Sequence, residues 1–74
     1  MKLTYDPIAD ASYVRLVERT GFSMVARTVI AESILLGTSI NLDFDSDGQL
    51  LGIEILGASR ALRPETIKQA EVLR

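Results

Sequence analysis

Asp47-Gly48 sits between two arms whose side chains alternate in character, and it constrains this chain more than any other feature. On the first arm Ile40, Leu42 and Phe44 alternate with Asn41, Asp43 and Asp45. On the second, Leu51, Ile53 and Ile55 alternate with Gly52 and Glu54. Successive strand side chains point to opposite faces, so this pattern specifies two strands with one apolar and one wetter side. Asp-Gly favours a two-residue type I′ turn, in which both central residues need positive φ. Placing the turn there predicts the pairs Ser46 with Gln49, Phe44 with Leu51, Leu42 with Ile53 and Ile40 with Ile55. A slip of one residue would split the apolar set between the faces.

The same stretch spells a calcium-loop pattern: Asp43, Asp45, Asp47, Gly48 and, six residues on, Glu54. In such a loop the carboxylates at positions 1, 3, 5 and 12 converge on one ion between two helices. Here both flanks have the period of strands. In the predicted register Glu54 lies four residues beyond Leu50, the partner of Asp45, which is about 13 Å at ~3.4 Å per residue. That is too far to close a cage, so we expect no metal site. A weak surface site on Asp45 and Asp47 is the most the pattern offers, and an acidic face that discourages edge pairing is the simpler reading.

Seventy-four residues form one small domain, 1–74, close to the lower size limit for a self-sufficient core. With 47% hydrophobic residues but only two Phe, two Tyr and no Trp, that core must be aliphatic. There is more apolar surface than one thin layer hides, so we expect a homodimer joined through an apolar face or a strand edge. Cysteine and histidine are absent, which removes disulfides, thiolate or imidazole metal sites and any Ser-His or Cys-His catalytic pair. No cofactor is expected. A net charge of −2 and a pI near 4.9 leave no basic footprint for nucleic acid. Apolar clusters are interrupted by Arg27, Glu32 and Gly37 well before a membrane-spanning length, so the expected setting is cytoplasmic, without membrane contact.

Residues 2–5 read as a short strand with Leu3 and Tyr5 on one face. Asp6-Pro7 follows as a capped turn ending near Asp10, and Ala11 to Val17 reads as a second strand. On that strand Val14 and Leu16 point one way, Tyr13 and Arg15 the other. Tyr5, Tyr13 and Arg15 are candidates for a small polar ligand pocket. The plainer alternative is tyrosine rings covering sheet surface and an arginine paired with a carboxylate.

Two blocks of residues carry a family resemblance: Tyr5-Asp6-Pro7-x-Ala9-Asp10-Ala11-x-Tyr13-Val14-x-Leu16, and Leu42-Asp43-Phe44-Asp45-x-Asp47-Gly48-x-x-x-Gly52-Ile53-Glu54-Ile55-Leu56-x-Ala58-Ser59. Together they cover about half the chain, and they resemble the small prokaryotic family known as domain of unknown function 2283. The resemblance implies a compact antiparallel sheet with a C-terminal helix. It supplies no activity and no site residues. It does imply an association with small toxin-like proteins, and hence an antitoxin-like, partner-binding role.

The middle of the chain, residues 18–39, fits neither period well. Thr20-Gly21 suggests a turn and Met24 to Ala31 a β-branched strand. Residues 33–39 look like an insertion relative to the family pattern, in which Ile34, Leu35 and Leu36 are either an added strand or an apolar patch for a partner. After Gly57, Ala58 to Leu62 fits one helical turn. Pro64 suits the first position of a helix running to about Val72, with Leu62, Ile67, Ala70 and Leu73 as its buried stripe. The expected fold is therefore α+β: a small antiparallel sheet of about four strands, arranged as a meander around the Asp-Gly hairpin, with a short C-terminal helix.

With no catalytic set assembled, the leading functional expectation is a non-catalytic, dimeric protein-interaction module with a possible small protein partner. The alternative is a ligand- or metal-binding protein, or a small enzyme, using Asp43 and Glu54, which the register makes diagonal neighbours on one face. A DNA-binding antitoxin of the β-ribbon kind is disfavoured by the acidic balance.

Overall fold

The structure, a computed structural model, describes residues 1–18, 24–32 and 34–73. The turn expected at Thr20-Gly21 and the first residue of the expected insertion, Ser33, lie outside the described residues. Six strands, β1 (Lys2–Asp6), β2 (Ala11–Arg15), β3 (Arg27–Ala31), β4 (Ser39–Phe44), β5 (Leu50–Leu56) and β6 (Glu71–Val72), form one sheet in the order β3-β4-β5-β2-β1-β6. Two short helices, α1 (Ala58–Ala61) and α2 (Pro64–Lys68), lie between β5 and β6.

The α+β class and the C-terminal position of the helices agree with the sequence, while three details of the expected sheet are corrected. There are six strands, not four. The order is not a meander, because the β1–β2 hairpin docks through β2 onto β5. The sheet is mixed, because β6 runs parallel to β1. The second correction has a clear cause. Pairing β2 with β5 extends two apolar rows across the sheet, Val14–Ile53–Leu42–Val29 and Ser12–Ile55–Ile40–Ala31. β5 is the most apolar strand, and this order places it in the interior of the sheet.

The central hairpin forms, with Leu42 opposite Ile53 and Ile40 opposite Ile55 as expected. Its turn differs. Asp45 N–H bonds Gln49 O at 2.9 Å and Gly48 N–H bonds Asp45 O at 3.0 Å, so the loop has three residues, Ser46 to Gly48. Among the described residues only Asp10 combines a side chain with positive φ, so Asp47 is not left-handed; Gly48 is, at φ 79°. This is a type I turn closed by a left-handed glycine. Asp45 selects it, since its Oδ1 accepts the N–H groups of Asp47 (2.9 Å) and Gln49 (3.0 Å). Phe44 then pairs with Leu50 rather than Leu51, and a bulge at Leu51 restores the downstream register. Leu51 is itself buried, only 2% exposed.

At the other hairpin Asp6 Oδ1 accepts the N–H groups of Ile8 (2.9 Å) and Ala9 (3.3 Å), the capping role expected of it. The C-terminal helix is shorter than expected. It stops at Lys68, Gln69 N–H turns back to Thr66 O at 3.1 Å, and Glu71-Val72 become a strand whose continuation, Leu73 N–H, bonds Tyr5 O at 2.8 Å. A five-residue helix is marginal by itself, and the β-branched Val72 gains a ladder by extending alongside β1. Of the expected buried stripe, Leu62, Ile67 and Ala70 are half-buried and Leu73 is exposed.

Candidate functional site

Directly opposed residues in a ladder point to the same side. The rows that pass through Tyr13, Glu54 and Asn41, and through Arg15, Gly52, Asp43 and Thr28, therefore make up the polar face of the sheet. Four of the candidate residues, Tyr13, Arg15, Asp43 and Glu54, meet on it. Tyr5 does not. It pairs with Ser12, on the apolar side, so it shares no pocket with Tyr13 and Arg15.

The organising residue of the polar face is Gly52. Tyr13 on β2 reaches Asp43 on β4 across the intervening β5, and it does so over Gly52; a Cβ there would lie 2.5 Å from Tyr13 Cζ. The Tyr13 hydroxyl donates to Asp43 Oδ2 (3.0 Å) and the Thr28 hydroxyl donates to Asp43 Oδ1 (2.7 Å), so β2, β4 and β3 converge on one carboxylate. Beside it Asn41 Nδ2 donates to Glu54 Oε1 (3.0 Å) and Ser39 Oγ donates to Asn41 Oδ1 (3.2 Å). The Arg15 side chain makes no hydrogen bond or ion pair among the described residues. Partial burial of the phenol, then its bond to Asp43 and the nearby charges of Asp43 and Glu54, push the Tyr13 pKa up to about 12. Such a phenol keeps its proton at neutral pH and commits it to Asp43, the opposite of what a general base requires. Asp43 and Glu54 share a face but answer to separate neutral donors. Among the described residues no group of three Asp or Glu gathers where an ion could be held.

Thr28, Asn41, Ser39 and Gly52 also lie on this face and were not among the candidates; Ile30, opposite Asn41, carries the row on to β3. A glycine inside an alternating strand is the signal by which the crossing could have been found, since it marks close approach from above. The pairing of β2 with β5, which supplies the tyrosine, carries no local signal.

A second cluster lies on the apolar side. Tyr5 Oη donates to Asp10 Oδ1 (2.8 Å), and Asp10 also accepts Ser59 N–H (2.9 Å) and Ser59 Oγ–H (2.7 Å) at the start of α1. These bonds from Ser59 and then Tyr5 hold the Asp10 carboxyl below the usual range, and the bond to Asp10 raises the Tyr5 phenol. The clasp is structural. It joins the two sequence blocks quoted above and pins α1 over the apolar side of β2 and β5.

Ile34, Leu35 and Leu36 form no strand. They are 99%, 48% and 88% exposed. Leu35 to Thr38 make a type II turn with Gly37 at φ 81°, closed by Thr38 N–H to Leu35 O (3.3 Å), and Thr38 Oγ1 donates to the same oxygen (2.6 Å). The turn is fixed to α1: Gly37 O lies where a side chain at Gly57 would stand, and the Arg60 guanidinium lies against Gly37.

No helix among the described residues is long and apolar enough to cross a membrane. No curated protein and no solved structure matches the chain. A family profile does, over residues 2–59, which takes in β1 to β5, the Tyr13–Asp43 crossing and both ends of the Asp10–Ser59 clasp. On that match the chain belongs to the family described as protein of unknown function DUF2283.

Proposed function

We propose that this protein is a non-catalytic association module whose working form is a homodimer joined at the open edge of β3. The observation that carries the reading is the distribution of apolar side chains. Among the described residues only Leu51, Ile55 and Ala58 are buried hydrophobics, while twelve large ones are exposed, among them Ile30 at 75%, Leu36 at 88% and Ile34 at 99%. β3 has four of its five residues exposed and, among the described residues, one edge without a partner strand.

The whole chain exposes 5525 Å². A compact protein of 8.1 kDa exposes roughly 4,500 Å². The surplus, about 1,000 Å², is of the size one partner contributes to a standard interface, about 800 Å². Nothing on the polar face argues for catalysis, since its tyrosine is held protonated and its carboxylates are taken up by neutral donors.

Sedimentation equilibrium at micromolar concentration tests the reading. The expected result is a dimer whose melting temperature rises with protein concentration. Ile30→Lys, which sets two like charges close together across the shared axis, is expected to give a folded monomer. A wild-type chain that sediments as a monomer up to about 100 µM, where even a weak dimer of micromolar Kd would be populated, overturns it.

A further inference from the structure

On the apolar face, at the hairpin end of β3 and β4, lies an open hollow of about 520 Å³. Ala26, Val29 and Phe44 line it, with Arg27, Asp45 and Ser46 at the rim. Val29 and Phe44 are on the same face as Leu42, Ile40 and Ile53. We propose that in the homodimer this hollow receives the Ile34–Leu36 turn of the second copy, and that each copy fills the other's. The inference rests on the dimer reading and adds the contact that would make the dimer specific.

Three features of the fold place the turn there. The first is symmetry. Two β3 strands can join antiparallel about a two-fold axis only if that axis is perpendicular to the sheet, so both apolar faces end up on the same side. The second is direction. In that arrangement the Ala31 end of one β3 lies beside the Arg27 end of the other. The turn leaves from just beyond Ala31, and the hollow sits at Arg27 and Phe44. The third is the side on which the turn stands. Tyr5, Asp10 and Ser59 put α1 on the apolar side, and Gly37 fastens the turn to α1 through Gly57 and Arg60.

The turn cannot fill the hollow of its own chain. The two sit at opposite ends of the β3–β4 pair, four residues apart, or about 14 Å along the strands. The turn is already ordered, so docking it costs little conformational freedom. Its aliphatic tips would meet Ala26, Val29 and Phe44, the apolar part of a lining that also includes Arg27, Asp45 and Ser46.

The chain has no native cysteine, which makes the test clean. Leu36→Cys and Ser46→Cys, both at exposed positions, place one thiol on the turn and one on the rim of the hollow. Within one chain these sites are too far apart for a disulfide. Under mild oxidation the double variant is expected to give covalent dimers on a non-reducing denaturing gel. It should do so about a thousandfold faster than either single variant, because docked partners meet at about millimolar effective concentration and free ones at micromolar. If the double variant sediments as a dimer but cross-links no faster than the single ones, the turn-in-hollow arrangement is overturned while the dimer reading stands. A monomeric wild type removes the dimer reading itself.

Discussion

Gly52 determines the geometry of the polar face because it is the one position over which a phenol can cross β5. Gly52→Ala is expected to cost about 1–3 kcal/mol through overpacking, because the Cβ meets the Tyr13 ring rather than the end of a flexible side chain. Combined with Tyr13→Ala the two costs should fall well short of additive, which urea titrations of the four forms will show. Proton linkage gives an independent signature. The folded Tyr13 pKa, about 12, lies above the unfolded value near 10, so the folded state retains a proton the unfolded state releases. Its contribution to stability is complete below pH 10 and declines from there towards pH 12. In a spectrophotometric phenol titration Asp43→Asn should move the late ionisation to lower pH, having removed the acceptor's charge. An unchanged curve would mean that Tyr13 does not sit on Asp43.

At the level of elements, the hairpin shows what local pattern can and cannot specify. Alternation fixed which residues of β4 and β5 face the apolar side, and Asp47-Gly48 located the reversal to within one residue. The difference came from Asp45, whose carboxylate closes a three-residue loop, and from Leu51, whose bulge absorbs the extra residue. Neighbouring strands in sequence were legible. The docking of β2 on β5 and of β6 on β1 was not, because each depends on partners more than thirty residues away that leave no periodic trace. The same gap explains the candidate site: Asp43 and Glu54 were visible as neighbours, while Tyr13 and Thr28 came to Asp43 only through those long-range pairings and through β3. The calcium-loop spelling is accounted for by this hairpin, where Asp45 is occupied by backbone amides and Asp43 by two hydroxyls. A site with ~10 µM affinity would add about 2.7 kcal/mol at 1 mM calcium, and so raise the melting temperature by about 15 °C in a domain this size. Thermal denaturation with and without 1 mM calcium is expected to show no such rise.

Across the whole molecule, the two sides of the sheet do different work. The polar face is tied together internally by hydrogen bonds, and on the apolar face α1 packs over β2 and β5 while Val29 on β3 is exposed. The two ends of the sheet also differ. One ends in β3, five residues long; the other ends in β6, only two residues long and clipped to β1 by the Lys2–Glu71 ion pair and the Leu73–Tyr5 hydrogen bond. In the homodimer proposed above, that inequality would set a stopping rule for growth. A ribbon with a usable border on one flank acquires a single neighbour and is then finished, whereas two usable borders would admit endless addition. Val72→Pro, which detaches the short flank and bares β1, is therefore expected to turn a discrete pair into a ladder of higher species visible by light scattering. A variant that remains a pair would mean the blunt end is not what stops it.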